Sequence, residues 1–460
     1  MSSDRRPEGA KKRQRSVRPE PADLKSAPAA ADLQSVYDAA VLGAGASGLA
    51  ASYSYLRRCI EGRGERSGPG KKLLIIDSNG APGKKLSVTG NGRCNLLPES
   101  FDAKNYFGDA AAYPRLLSPG RLEQCVRVFE HELGVPLVAE DGRLYPLSNR
   151  AESVVTALYS AVRAMGAFFC LGSRVVGISK HGDDYELLTE GENGALSIKA
   201  RSVIFAFGGR SYPEKGSDGS GFGLLGDLGV RVTPTYPSLT AVEVEKPIKA
   251  MDGVRAKAAV SAYVSGEKVC GFSGEVQFTS YGLSGVCVMQ LSRYITRSVT
   301  EGRSVTVKVC LLPGDCAEKA RNILFSENLP DVSVVDRLTG LVPKKTAVSF
   351  IKLAGIDPDA RILSLPEGKK ELLMKYMTGL EYLVKDLRGY DYAQITAGGV
   401  PVSEVDASTM ELKRLGNCYI CGEACNVDAL CGGNNLFWAF SSGFAAGEAA
   451  YEARRGLHSS

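Results

Sequence analysis

The spacing of hydrophobic and polar positions predicts an alternation of strand and helix at the start of the chain. Residues 38–42 are apolar after the first position, which is typical of a central parallel strand, and residues 49–60 continue with helix-forming side chains. Residues 72–77 repeat the buried-strand pattern and end in a carboxylate, Asp77. A strand, a helix and a second strand in this order indicate a βαβ unit.

The pattern changes farther along the chain. Residues 119–206 favour two helices and several short strands, and residues 236–312 favour an antiparallel meander or small barrel. Residues 316–385 favour helices, and a strand near residue 420 precedes a last helix that ends near residue 454. The strands predicted in these regions are 136–138, 144–146, 168–178, 184–188, 200–206, 242–244, 258–264, 274–278, 305–311 and 417–421.

A glycine turn joins the first strand to the first helix. Its sequence is Gly43-Ala44-Gly45-Ala46-Ser47-Gly48. Gly43 permits the turn, Gly45 lets a pyrophosphate approach the main chain, and Gly48 lets helix and strand pack closely. Because the helix N-terminus presents unpaired N–H groups and partial positive charge, the sequence predicts a dinucleotide site here.

Asp77 supports the same site from the second strand. A carboxylate at the end of this strand of a βαβ unit accepts hydrogen bonds from the adenosine ribose hydroxyls. It favours an unphosphorylated ribose, and therefore FAD or NAD over NADP. The gap between Gly48 and Asp77 exceeds the usual ~20 residues, and a polar insert at 61–70 accounts for the excess. The alternative is an aspartate that merely caps the junction of strand and loop.

Three further segments have the composition of a ligand cradle. In 83–95 many glycines let the backbone wrap a ligand that Lys85, Arg93 and Asn95 reach, although a plain surface loop remains the alternative. Cys94 is either a flavin tether or redox thiol, or simply a small packed residue. The other two segments are the strand end at Gly208-Gly209 and the region from Glu423 to the helix that begins with Gly433-Asn434-Asn435-Leu436. A second GxGxxG, at 221–226, follows no predicted strand and is not assigned to a nucleotide.

This organisation predicts an α/β protein in which a dinucleotide-binding domain is interrupted by an insertion. The predicted domain consists of residues 36–211 and 391–456. The insertion is 212–390, with a β-barrel at about 236–312 and a helical part at about 316–385. Residues 1–35, rich in Arg, Lys, Pro, Ala and Ser, are predicted to be a disordered tail.

Charge and hydropathy narrow the class of protein. The 460 residues carry a net charge of +5, and residues 1–35 hold eight Lys/Arg against five Asp/Glu. The remainder of the chain is therefore nearly neutral, so only the basic tail indicates that nucleic acid could bind. The tail lacks the apolar segment of a signal peptide, and no run reaches the ~18 apolar residues of a membrane helix. We expect a cytoplasmic protein with no membrane partner.

The twelve cysteines are most simply reduced, buried thiols. Cys418, Cys421, Cys425 and Cys431 have spacings similar to those of Fe–S or zinc motifs. However, residues three apart on a strand point to opposite faces, which opposes shared ligation by Cys418 and Cys421. No metal site is predicted, and a redox role for the cluster stays undecided.

Several motifs together resemble those of the BaiN/YhiN-type bacterial flavoproteins, a family of NAD(P)/FAD-dependent oxidoreductases and aminoacetone-oxidase-like FAD-binding proteins. The matching segments run in order from Val41 to Gly447: VLGAGASGLAA, GKKLSVTGNGRCN, GRLYPLSNRA, FAFGGRSYPEKGSDGSG, FTSYGLSG, TAGGVPVSEVDASTME and CGEACNVDALCGGNNLFWAFSSGFAAG. The resemblance implies a glutathione-reductase-like FAD-binding Rossmann fold with an inserted barrel and helical domain.

The motifs and the resemblance together give the predicted FAD-binding residues. They are Gly43, Ala44, Gly45, Ala46, Ser47, Gly48, Asp77, Lys85, Arg93, Cys94, Asn95, Gly208, Gly209, Glu423, Gly433, Asn434, Asn435 and Leu436.

Two positions depart from the family pattern. Ser280 precedes Tyr281 where the family usually has histidine, and Asn434 stands where it commonly has tyrosine. The histidines of this chain, His131, His181 and His458, lie outside the motifs. The proton needed for a reduction could therefore come from Tyr281, Arg93 or water, and the sequence does not choose among them.

The sequence thus predicts an FAD-dependent oxidoreductase that passes hydride from NAD(P)H through flavin to a small organic acceptor. The resemblance implies, for the bile-acid branch of the family, reduction of a carbon–carbon double bond conjugated to a steroid ketone. No second dinucleotide fold is predicted, so NAD(P)H is expected to bind transiently in the same cleft. Alternatives are an oxygen-using oxidase of a small amine, a flavin-dependent RNA-modifying enzyme and a non-catalytic flavin-binding protein.

Overall fold

A computed structural model describes residues 36–62, 72–191 and 194–456. The basic tail at 1–35, most of the polar insert and His458 lie outside these described residues. Within them the strands are β1 (Ala39–Leu42), β2 (Leu73–Asp77), β3 (Leu97–Pro98), β4 (Tyr106–Gly108), β5 (Leu137–Glu140), β6 (Arg143–Pro146), β7 (Phe168–Leu171), β8 (Ser173–His181), β9 (Asp184–Gly191), β10 (Leu196–Ala200), β11 (Val203–Phe205), β12 (Tyr236–Ser238), β13 (Val242–Val244), β14 (Arg255–Val264), β15 (Glu267–Phe278), β16 (Gly282–Ser284), β17 (Val305–Cys310), β18 (Leu380–Leu387), β19 (Ile395–Ala397), β20 (Cys418–Ile420) and β21 (Val427–Ala429).

The α-helices in the same part of the chain are α1 (Ala46–Glu61), α2 (Pro119–Arg127), α3 (Ala151–Ala164), α4 (Gly221–Asp227), α5 (Val286–Thr300), α6 (Cys316–Leu324), α7 (Val334–Thr339), α8 (Lys344–Leu353), α9 (Glu367–Gly379) and α10 (Asn434–Gly456).

A parallel sheet in the order β20-β11-β1-β2-β7 forms the centre of the dinucleotide-binding region. In register, Val41 of β1 lies between Ile75 of β2 and Ile204 of β11. These strands are buried, as their continuous apolar runs predict. Residues 168–178 do not form one strand as expected, because Gly172 adopts φ +67 and separates β7 from β8, which joins an antiparallel sheet.

The last helix packs against the first, although they are far apart in sequence. A Cβ at Gly443 of α10 would lie 2.4 Å from the Ser47 carbonyl oxygen, and a Cβ at Gly447 would lie 2.1 Å from that of Ala51. Only glycine therefore permits this close approach. The contact brings the C-terminal motif of the chain to the glycine turn that opens α1.

The antiparallel strands between residues 242 and 387 close into a barrel in the order β13-β16-β15-β14-β17-β18. Here the structure differs from the sequence prediction, which assigned residues up to about 385 to helices. Leu380, Tyr382 and Val384 alternate with the more exposed Glu381, Leu383 and Lys385. They pair with β17 and β13, so 380–387 is the strand that closes the barrel. The strand β12 pairs with β19 outside it.

The described residues form two hydrophobic clusters. One is built from 37–230 together with 400–451, and the other from 242–387. Asp428 on β21 and Arg293 on α5 form an ion pair between them, and Asp428 is 1% exposed. The domain boundaries remain a prediction. No helix in the described ranges is long and apolar enough to cross a membrane.

Candidate cofactor and substrate site

A cavity of about 490 Å³ lies at the carboxyl ends of β1 and β2. The glycine turn, the 83–95 segment, the β6 hairpin strand, the loop after β11 and the start of α10 all contribute to its wall. Ligands of open parallel sheets bind at this edge, and the volume falls within the ~300–1,000 Å³ of small-molecule sites.

The glycine turn has the geometry of a phosphate cradle. Gly43 adopts φ +118, which favours glycine, and a Cβ at Gly48 would lie 1.8 Å from the Gly43 carbonyl oxygen. A Cβ at Gly45 would meet no atom within 4 Å and would enter the cavity instead. Because Gly45 is also the N-cap of α1, no side chain caps the first amides of this helix. These amides are available to an anion, so the turn fits the phosphates of FAD.

Asp77 lies at the end of β2 and lines the cavity, as predicted. Its Oδ2 accepts from the Ala44 backbone N–H at 2.6 Å, and its Oδ1 accepts from the backbone and side-chain N–H groups of Asn79 at 2.7 and 2.9 Å. The carboxylate thus ties the glycine turn to β2. Contact with a ribose is compatible with this position, because Oδ2 retains a further lone pair, and it stays a prediction.

Lys85 and Glu423 form an ion pair across the cavity, although each was predicted to face the cofactor independently. The Lys85 ammonium donates to Glu423 Oε2 at 2.6 Å, and Glu423 Oε1 accepts from the Thr396 backbone N–H at 2.6 Å. Both side chains are about one-fifth exposed. The pair joins residues 338 positions apart, so no local sequence pattern could have indicated it.

The start of α10 forms another part of the cavity wall. Gly432 and Gly433 adopt φ +122 and +85, which lets the chain turn into the helix. The Asn435 side chain donates to the Ala429 carbonyl at 2.7 Å and accepts from its N–H at 2.9 Å. The segment therefore presents backbone N–H groups at a helix N-terminus, a suitable environment for a developing negative charge.

The hairpin β5–β6 contributes two side chains that were not predicted, Arg143 and Tyr145. Arg93 lies above the Tyr145 ring, 4.4 Å from its centre, and donates to Glu140 Oε2 at 2.6 Å. It also donates to Asn149 Oδ1 at 2.6 Å. The predicted ligand-binding arginine thus holds the hairpin against the cavity.

Most of the predicted residues come together in this single cavity. Those that line it are Gly43, Ala44, Gly45, Ala46, Ser47, Asp77, Lys85, Arg93, Asn95, Gly208, Glu423, Gly433, Asn435 and Leu436.

Four predicted residues do not line the cavity. Gly48 packs beneath the turn, and a Cβ at Gly209 would lie 2.4 Å from a threonine hydroxyl. Asn434 is 3% exposed, and its amide donates to the carbonyls of the preceding loop. Cys94 is fully buried, and burial raises the pKa of its thiol to about 12. A thiol protonated in this way at neutral pH is a packed residue.

Arg174, Lys215 and Gln394 also line the cavity without having been predicted. Lys215 lies within the motif FAFGGRSYPEKGSDGSG, although nothing in that motif distinguishes it as a site residue. Arg174 and Gln394 lie outside the motifs and reach the site through tertiary folding. For Arg143 and Tyr145 a local signal did exist. The Asp-Gly pair at 141–142 is typical of a two-residue hairpin turn, and strand alternation then puts both side chains on one face.

The cysteine cluster has no metal-binding geometry. Among the described residues, no group of three or more His, Cys, Asp or Glu side chains could hold a metal ion. Cys418, Cys421 and Cys425 are fully buried, and burial raises the pKa of each thiol. Cys431 alone of the four lines the cavity.

The parallel sheet, the uncapped helix at the glycine turn and the converging C-terminal helix define a Rossmann-type FAD-binding oxidoreductase. The sequence pattern of a known family, described as HI0933-like protein Rossmann domain, matches residues 37–449. The chain belongs to this HI0933-like family.

Two curated relatives span nearly all of the chain. The 3-dehydro-bile acid delta(4,6)-reductase of Clostridium scindens is 32% identical over 416 residues, covering 90% of this chain and 98% of the relative. The ribosomal RNA dihydrouridine synthase of Escherichia coli is 27% identical over 417 residues, covering 89% and 96%. A solved 3-ketosteroid-delta4-(5alpha)-dehydrogenase from Rhodococcus jostii is 13% identical with a TM-score of 0.48, covering 92% of this chain and 99% of that one.

Proposed function

We propose that the protein uses NAD(P)H to reduce a carbon–carbon double bond conjugated to a carbonyl group in a small organic acceptor. The observation that carries this proposal is the composition of the cavity. Its glycine turn and its α10 wall continue into apolar residues near the barrel, Leu239 and Val286. A cofactor site that opens onto apolar side chains favours an organic acceptor.

The chemistry named for the relatives supports the same reaction class. The Clostridium scindens relative is a reductase of a delta(4,6) double-bond system in a 3-dehydro bile acid. The Escherichia coli relative is a dihydrouridine synthase. Dihydrouridine differs from uridine by two hydrogens across a ring double bond that is conjugated to a carbonyl. Both reactions therefore add hydrogen to an activated carbon–carbon double bond.

FAD, when bound, supplies hydride transfer between a nicotinamide donor and the acceptor. The protein contributes binding and orientation. The first amides of α1 bind the phosphates, and the Lys85–Glu423 pair fixes the two sides of the cavity relative to each other. Trp438 donates to the Gly422 carbonyl at 2.9 Å and fixes α10 beside them. The N-terminus of α10 then stabilises negative charge in the cavity.

The acceptor carbon also needs a proton. The hydrogen bond that Arg93 donates to Glu140 raises the pKa of Arg93, so this guanidinium keeps its proton and serves only as a hydrogen-bond donor. Tyr281 stacks under Arg388, with 4.6 Å between guanidinium and ring centre, and is absent from the described cavity lining. We therefore assign the proton to an O–H group in the cavity, either that of Tyr145 or that of water.

An anaerobic two-step titration tests the proposal. The FAD-loaded protein is first mixed with NADH or NADPH, and the visible flavin absorption is followed until it bleaches. A steroid enone is then added, with the corresponding saturated ketone as the matched control. We expect colour to return only with the enone, together with the reduced product by mass spectrometry.

Other outcomes point to the alternatives. Failure of both nicotinamides to bleach the flavin, or of every enone to restore the colour, contradicts the proposal. Rapid return of colour with oxygen and formation of peroxide, without an enone reaction, would favour an oxidase. Reoxidation by uridine-containing RNA alone would favour RNA modification, the reaction class of the Escherichia coli relative.

A further inference from the structure

Arg93 and two residues of the hairpin β5–β6, Glu140 and Arg143, form a charged trio, and its two arginines line the cavity. The turn residues of the hairpin, Asp141 and Gly142, adopt φ +51 and +74, as a type I′ turn requires. This turn fixes the register, in which Glu140 is directly opposite Arg143. Residues opposite each other share one face of a hairpin. Both side chains therefore lie on the same face as Tyr145.

The trio contains two guanidinium groups and one carboxylate. Arg93 forms an ion pair with the carboxylate, because its guanidinium donates to Glu140 Oε2 at 2.6 Å. The same hydrogen bond lowers the pKa of Glu140, which therefore stays ionised at neutral pH. Within the described part of the chain, Arg143 forms no ion pair and no side-chain hydrogen bond. The trio therefore carries a net charge of about +1. The charge of Arg143 also helps to lower the pKa of Glu140, but Arg143 forms no ion pair with it.

Arg143 is partly buried and lines the cavity. A Cβ at Gly432 would lie 3.9 Å from Arg143 Nε, so this side chain stands beside the loop that leads into α10. Its five N–H donors form a planar fork that matches a carboxylate. A partly desolvated fork without a protein acceptor is suited to a ligand that brings one.

We propose that Arg143 binds a carboxylate of the acceptor and thereby selects acids among the possible enones. This inference rests on the proposed function and adds a substrate class to it: a conjugated enone that carries a carboxylate at a distance from its double bond. Arg93 is a positioning residue, because it donates to the Glu140 carboxylate and stacks on the Tyr145 ring. Arg143 can therefore bind the carboxylate of the acceptor.

The test compares a steroid enone carboxylic acid with its methyl ester, which keeps the reacting group and removes the charge. For Arg143→Gln, KM for the acid should rise roughly ten- to a hundred-fold, the size of a lost charge-assisted pair, while KM for the ester stays unchanged. Arg143→Lys should restore part of the discrimination. Arg150→Gln removes an exposed arginine outside the cavity and should leave both acceptors unaffected.

Cofactor measurements separate the outcomes. The dissociation constant of FAD and the midpoint potential of the flavin should be the same in Arg143→Gln and wild type. If Arg143→Gln shifts the flavin potential and loses activity equally with the acid and the ester, Arg143 acts on the cofactor and the inference is overturned. A wild-type protein that does not prefer the acid over the ester overturns it as well. A wild type that reduces neither enone refutes the proposed function itself, and the inference falls with it.

Discussion

Replacing Gly45 by alanine separates two properties of the glycine turn, its contribution to folding stability and its binding of the cofactor phosphates. Gly45 has φ −81 and ψ −168, a backbone conformation that alanine adopts without strain. A Cβ there meets no protein atom within 4 Å. The new methyl group therefore enters the cavity at the mouth of the helix. We expect the apoprotein to lose only the roughly 0.5–1 kcal/mol by which glycine exceeds alanine as an N-cap residue.

The effect on cofactor binding should be much larger. The methyl group keeps a phosphate from its closest approach to the amides of α1, and a hydrogen bond to a charged group contributes about 1.5–3 kcal/mol. The dissociation constant of FAD should therefore rise roughly 10- to 150-fold. Titration of the apoprotein with FAD, followed by flavin fluorescence, measures this change, and urea unfolding of the apoprotein measures stability.

Gly48→Ala is the matched control, because it adds the same methyl group three residues away. Its Cβ would lie 1.8 Å from the Gly43 carbonyl oxygen, so helix and strand must move apart. Overpacking of this kind costs about 1–3 kcal/mol, and the loss should appear in the apoprotein. If Gly45→Ala binds FAD as tightly as the wild type, the phosphates do not lie on this turn and the reasoning is refuted.

Three further predictions concern other parts of the molecule. Arg293→Met leaves the buried Asp428 carboxylate without its cation and should cost about 3–5 kcal/mol in urea unfolding, whereas a cost near zero would mean that the clusters do not depend on this pair. Iodoacetamide should label the exposed Cys316 quickly and Cys431 slowly at neutral pH, since burial raises the pKa of Cys431 to about 11. Labelling of Cys431 should keep accelerating as the pH rises toward that pKa, because the thiolate is the nucleophile. A rate that levels off near the ordinary thiol pKa of about 8.5 would contradict the raised pKa. Tyr382→Ala removes a 5%-exposed side chain from the strand that closes the barrel and should cost about 3–5 kcal/mol, comparable to other buried aromatic side chains, whereas a solvent-exposed helix at 380–385 would tolerate it.

The βαβ unit could be predicted because its information is local. A buried run, a glycine turn and a helix follow one another directly between residues 38 and 60. The closest contact of a Cβ at Gly48 would be with Gly43 of the same turn, so this part of the constraint is local. The C-terminal cradle was predictable for a similar reason. Glycines and asparagines at 432–435 pack poorly but turn the backbone easily.

The missed features depend on contacts that are distant in sequence. Lys85 and Glu423 are 338 positions apart, so each residue taken alone looked like a cofactor contact. The strand β18 was mistaken for helix because it directly follows α9, and the helix-ending Gly379 between them was not used as a boundary. Pairing with β13 and β17 selects the extended form. Cys94 was named among the FAD-binding residues together with Arg93 and Asn95, which line the cavity. Its own side chain lies in the core, which favours the packed-residue alternative, and a cofactor contact stays a prediction.

The cofactor content of freshly purified protein tests the central claim most directly. If the amino-terminal turn and the carboxyl-terminal helix enclose one shared cavity, the folded chain should carry a single tightly held FAD, seen as the visible flavin bands and released in equimolar amount on denaturation. A cooperatively folded preparation that lacks these bands and does not acquire them during incubation with FAD would contradict the account.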